Sequence, residues 1–168
     1  MIKVVILSAW LVATPFMWYA ATQSFATVDR ILRTENPQFV EATKGMAPDQ
    51  TRVVLRHLAS ETNRSYFRAY GLVQVIFGVA LLLLLWRESP RDSLGLGIAC
   101  TMMGLVLILT FVITPMIVSL GRSIDFVPRN PPPPVMPRFR ALHGAFTALD
   151  GVKFLAGLGL LIRWILRA

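Results

Sequence analysis

One cysteine and two histidines stand among 168 residues, and only 15% of the chain is Asp, Glu, Lys or Arg. A lone cysteine, Cys100, permits no intrachain disulfide and no thiolate metal cluster. It falls inside a long apolar run, where a small core residue at a helix contact is expected. The histidines, His57 and His143, do not make a haem pair. Such a pair needs both rings at one depth around a shared space, and His57 precedes the second apolar run by nine residues. His143 and Asp150 are two helical turns apart, too far for one ion. No metal and no cofactor is therefore expected. No nucleophile–base pair stands out either, so an enzymatic site would rest on His143 and Asp150 alone. A basic domain with aromatic platforms, as a nucleic acid would need, is also missing.

What the chain has in abundance is apolar length. Hydrophobic residues make up 55%, with mean hydropathy +0.59. A soluble domain of this size needs polar surface all round, so these values point to lipid as the solvent. A spanning helix takes roughly 20 mostly apolar residues. Four stretches qualify: Val4–Val28, Tyr66–Trp86, Leu94–Leu120 and Ala141–Ile165. The first follows Lys3 and exceeds the roughly 7–15 apolar residues of a signal core, so it is expected to stay as a helix. The predicted fold is all-α, one antiparallel four-transmembrane-helix bundle over residues 1–168.

Four spans put both termini and the loop 87–93 on one side, here side A. The loops 29–65 and 121–140 fall on side B. Outside the spans' interiors, eleven Lys and Arg lie on side B against five on side A, which places side B in the cytoplasm of a bacterial inner membrane. The formal net charge of +8 suits basic loops beside anionic head groups. In the first loop, the stretch after Pro48 has no breaker before Gly71, so 29–65 is partly helical. Val54, Leu55 and Leu58 give that helix a narrow apolar edge, either for the interface or as an outward extension of the second span. In the second loop, "VPRNPPPPVMPRF", four consecutive prolines make a stiff extended spacer. Trp86, Trp164, Tyr66, Phe67, Phe126 and Phe139 are expected to anchor the span ends.

Apolar helices in lipid meet by close backbone approach. Glycines recur two turns apart as Gly71/Gly78, Gly97/Gly104 and Gly144/Gly151, each pair predicting a smooth contact stripe. Pro115 should kink the third helix by removing the bond to the Phe111 carbonyl.

The fourth span carries two charges, Asp150 and Lys153, where each costs about 2.5–3.5 kcal/mol at a helix centre. Three residues apart, they can pair locally, and neighbouring helices must supply the remaining hydrogen bonds. Depth selects the partners. At about 1.5 Å per residue, Asp150 lies roughly 13 Å inside side B, Gln74 roughly 12 Å and Thr110 roughly 15 Å. Gln23 reaches about half as deep. The expected intramembrane polar site is Gln74, Thr110, Asp150 and Lys153, with His143 and Thr147 above it. Such a layer fixes helix register, serves a ligand, proton or ion, or pairs with another subunit.

Phe139, Leu142-His143-Gly144, Thr147, Leu149 and Gly157–Leu161 resemble the closing helix of the transmembrane-protein-205-like family, small four-span proteins of unknown function. "AWLVATPFMWYAATQSF" is similar to that family's first helix, and Thr114-Pro115 to the proline closing its third. Asp150 departs from the asparagine of the pattern, and Lys153 adds a charge. The resemblance implies a membrane protein, in some members linked to transport or drug tolerance. The anthrone-oxygenase-like proteins fit less well, since Met116-Ile117 follow Pro115 where their signature has threonine and asparagine. The expected role is a non-catalytic integral membrane protein, an accessory or assembly subunit of a larger membrane complex. Alternatives are a small transporter or ligand-binding protein using the Asp/Lys layer, and a membrane-bound oxygenase. Expected partners are the lipid bilayer and other membrane subunits or a second copy, with no nucleic acid.

Overall fold

Four helices are long and apolar enough to cross a membrane in the computed structural model, which describes residues 1–34, 36–127 and 131–167. The first, α1, spans Ile2–Arg33, and a short α2, Pro37–Ala42, follows it. The next, α3, runs unbroken over Pro48–Arg87. Then come α4 (Ser93–Ile108), a π turn (Leu109–Ile113), α5 (Thr114–Ser123) and α6 (Met136–Ile165). No strand occurs among the described residues. The all-α four-helix bundle is thus the observed architecture.

Helix starts follow local chemistry. Asn36 accepts from the Gln38 and Phe39 amides to cap α2, and Asp92 accepts from the Gly95 amide to cap α4. Prolines open α2, α3 and α6, where a missing N–H costs nothing. The α3 extension carries the second span some 18 residues, about 27 Å, beyond Tyr66 on side B. That is the outward extension foreseen for the charged segment. The fourth helix starts five residues earlier than its apolar run, so the loop 121–140 is shorter than expected. Pro128, Arg129 and Asn130 of its proline-rich run lie outside the described residues.

Each long helix touches two neighbours in the cyclic order α1, α3, α4, α6. The buried positions explain this. Within the spans they include Phe146, Asp150, Lys153, Gly157, Leu160 and Trp164 on α6, and Gly95, Ala99, Met102, Val106, Leu109 and Ile113 on the α4–π segment. Steps of three and four average 3.5 residues, the seam of left-handed helix packing. Two apolar clusters result. Leu7, Trp10, Leu81, Met102 and Leu160 fill the side-A half, while Met17, Tyr70, Leu109, Ile113 and Phe146 fill the side-B half.

At Pro115 the third helix contains a π turn: the Thr114 amide bonds back five residues to the Leu109 carbonyl, and Pro115 then sits in the first turn of α5. Two local expectations need correction. Cys100 faces outward instead of filling a contact. Of the glycine stripes, only Gly71/Gly78 lies in a contact; a methyl there would come within 2.7 Å of the Thr110 methyl or the Met103 sulfur. Gly97, Gly104, Gly144 and Gly151 have open space beside them, while Gly157 faces Leu11 and Met102. Gly71→Ala is therefore expected to cost about 1–3 kcal/mol, because β-branched Thr110 cannot swing aside. Gly104→Ala should instead gain up to about 1 kcal/mol from helix propensity. Unfolding of each variant in detergent measures the contrast, and equal effects would disprove the packing assignment.

Candidate functional site

Between the two apolar clusters lies one polar layer. The Lys153 ammonium donates to Asp150 Oδ1 at 2.6 Å and has Gln74 Oε1 at 3.0 Å, Thr14 Oγ1 at 3.1 Å and the Tyr70 hydroxyl at 3.1 Å. Four acceptors surround three N–H donors, so the charge is fully solvated by protein. Asp150 accepts from the Tyr70 hydroxyl, 3.0 Å from both oxygens, and from Trp18 Nε1 at 3.0 Å. Trp10 Nε1 donates to Gln74 Oε1, and Thr14 bonds Tyr70. Helices α1, α3 and α6 each contribute. Asp150 is 0% and Lys153 1% exposed, and the free space beside them is only about 10 Å³. No ligand larger than a single water fits that space.

The structure brings together Gln74, Asp150 and Lys153 but differs at the other predicted members. Thr110 lies beside the layer with its methyl against Gly71 and joins none of its hydrogen bonds. Thr147 is exposed, and its hydroxyl donates to the His143 carbonyl of its own helix. It follows Phe146 of the seam, and one residue is 100° of rotation, which turns it outward. His143 stacks on Phe139 at 5.8 Å and faces a separate cavity. Gln23 is exposed. Sequence reasoning missed Thr14, Tyr70, Trp10 and Trp18. Tyr70 is one turn from Gln74, and that spacing was the signal available for it.

Side A is closed by ion pairs. Asp92 accepts from Arg163 twice at 2.8 Å and from Trp164 Nε1 at 2.8 Å, and Lys3 pairs with Glu88. The Arg163 hydrogen bonds hold the Asp92 carboxyl well below the usual range, against a smaller opposing effect of burial. Trp164 is thus a buried ligand of Asp92, only 6% exposed, and not the interfacial anchor expected.

Side B is open. A cavity of about 960 Å³ lies between the α3 extension, the end of α5 with its following loop, and the start of α6. Its floor includes Phe67, Ile117, Val118 and Phe146, and its walls carry Arg52, Arg56, Arg140 and Asn63. Arg64 props it open. Its guanidinium makes two 2.8 Å bonds to Asp125, on the loop after α5, and also donates to Glu61. Burial pushes the Asp125 carboxyl up, but hydrogen bonds and charge from Arg64 outweigh it and hold the group below the usual range. The bond from Arg64 likewise lowers Glu61. His57, Glu61 and Asp125 bring ligand atoms within 4.8 Å of one another, as a metal site would. The Arg64 guanidinium already supplies the positive charge there, so we read the cluster as an ion-pair network.

Comparisons with protein-family models, with curated proteins and with solved structures found no match.

Proposed function

We propose that this is a non-catalytic integral membrane protein that works by binding, with an apolar or amphipathic small molecule as ligand in the side-B cavity. The observation that carries this reading is the contrast between two interiors. The polar layer, where a transported ligand or proton was the alternative, pairs its two charges internally, leaves only the Gln74 amide nitrogen without a partner, and has about 10 Å³ of free space. The side-B cavity has about 960 Å³, within the range of ligand sites, with an apolar floor and a few polar groups on its walls. In this proposal the layer sets helix register and the cavity does the binding. The bacterial inner membrane, with the cavity on the cytoplasmic side, is the setting we propose from the charge distribution of the loops.

Native mass spectrometry of the protein released from mild detergent tests this. Wild type should retain about one small amphiphile per chain, and Val118→Trp, which fills the floor, should lose it while its melting transition stays in place. A wild-type chain that carries no amphiphile, and takes up none when offered, overturns the reading. The accessory-subunit role makes a different demand: another membrane chain co-purifies, in wild type and Val118→Trp alike.

A further inference from the structure

We infer that the ligand is a phosphate ester of a long apolar chain, its anionic head held by Arg52, Arg56 and Arg140 and its chain on the cavity floor. This rests on the cavity reading above and adds the identity of the head group.

Charge on the lining comes first. Four arginines and two aspartates line the cavity, leaving it two positive charges in excess. Arg64 and Asp125 neutralise each other at 2.8 Å. Arg52, Arg56 and Arg140 have no carboxylate partner among the described residues, and Arg56 lies over the Phe25 ring with its carbon 5.9 Å from the centroid. Three arginines lining one cavity, two from α3 and one from α6, raise the local concentration of anions, and their forked donors match phosphate oxygens.

Level comes second. Arg140 directly precedes the apolar run of the fourth span, and so stands at the head-group layer. Arg56 lies eleven residues before Phe67 on α3, about 16 Å further out than that ring. Phe67, Ile117, Val118 and Phe146 fall inside the apolar runs 66–86, 94–120 and 141–165, whereas the three arginines fall outside them. The cavity therefore runs from a cationic upper wall down to an apolar floor at membrane level. A free anion would leave the floor empty, and a neutral hydrocarbon would leave the arginines unused.

An unmet hydrogen bond comes third. Asn63 is 8% exposed, and its amide nitrogen donates to the Ala21 carbonyl at 3.0 Å. Its oxygen has no partner, and the residue lines the cavity. A buried unpaired acceptor is costly, and a turn of the Asn63 amide toward the cavity would let a hydroxyl of a glycerol backbone below the phosphate satisfy it.

The test offers three probes to the detergent-purified protein after delipidation: palmitoyl-lysophosphatidic acid, palmitoyl-lysophosphatidylcholine and inorganic phosphate. Microscale thermophoresis reads binding. The lysophosphatidic acid should bind at least about tenfold more tightly than the zwitterionic lipid, and inorganic phosphate in millimolar excess should not displace it. The triple variant Arg52→Gln/Arg56→Gln/Arg140→Gln should lose about 10- to 100-fold for the anionic lipid and little for the zwitterion. Replacing all three by lysine should keep only part of the preference, since the charge remains but the fork is lost. These side chains are exposed, so unchanged melting is expected and checks that the fold is intact. Equal affinity for both lipids overturns the head-group assignment and leaves the cavity reading standing. No binding of either lipid overturns both. Full displacement by inorganic phosphate reassigns the site to a free anion and overturns the amphiphile.

Discussion

Asp150→Leu is expected to destabilise the bundle by about 3–5 kcal/mol, the largest effect of any single substitution considered, because it strands a buried ammonium. Lys153 would keep Thr14, Gln74 and Tyr70 within 3.1 Å but lose the one opposite charge. The Tyr70 hydroxyl and the Trp18 indole would each lose their acceptor in the same step. Lys153→Met should cost less, since Asp150 would retain both of those donors. The double variant Asp150→Leu/Lys153→Met should recover much of the loss, because removing both charges also removes their desolvation cost. Equilibrium unfolding in mixed micelles, run on all four chains, gives the coupling directly. If Asp150→Leu unfolds at the wild-type point, the layer does not hold the helices together. The double variant also separates architecture from function. If the layer sets only register, the double variant should bind the cavity ligand as wild type does; a loss of ligand with the fold intact would return the binding role to Asp150 and Lys153.

How far the sequence shows this arrangement depends on what a helix repeat encodes. Apolar length alone gives four spans, and α6 displays its seam openly through Asp150, Lys153 and Gly157. Counting residues from the ends of the apolar runs gives depth, and depth selects Gln74, whose oxygen meets Lys153, one turn from Asp150. Depth says nothing about rotation. Thr110 is at a suitable level, yet its whole side chain, methyl and hydroxyl alike, packs against Gly71 of α3, and it joins no hydrogen bond of the layer. Thr147 and Gly144 share their helix with Asp150 but point away from the seam. Aromatic residues carry a second ambiguity. An indole or phenol suits the head-group layer and equally suits a buried acceptor. Trp10, Trp18, Tyr70 and Trp164 all take the second option here. Their acceptors lie between 64 and 132 residues away in the chain, at distances no local pattern reports. The cavity was invisible for the same reason: its walls come from three segments, joined by an Arg64–Asp125 contact that spans 61 residues.

That contact supports the second large effect. Arg64→Met should free the loop after α5 from α3, at a cost of about 2–3 kcal/mol. This is less than for a sealed pair, because the adjoining cavity lets some water reach the largely buried carboxylate. Asp125 would keep only His57, whose Nδ1 lies 3.3 Å away. Hydrogen exchange should rise across residues 121–127 and 131–136, while the seam residues of α3 and α6 stay protected. The acid response fixes the cause. In wild type Asp125 is held below the usual carboxylate range, so its contribution is complete above about pH 4 and is lost as pH falls through the depressed value. In Arg64→Met nothing strong holds the carboxylate ionised, and burial then raises it, so protonation relieves the strain of the unpaired charge. The gap in exchange between the two proteins should therefore be widest at neutral pH and shrink as the medium is made acidic. A gap that stays constant across that range would mean Arg64 supports the loop through the packing of its stem and not through its charge. In that case the cavity should survive in Arg64→Lys no better than in Arg64→Met, whereas a charge-based prop predicts that lysine restores part of the protection.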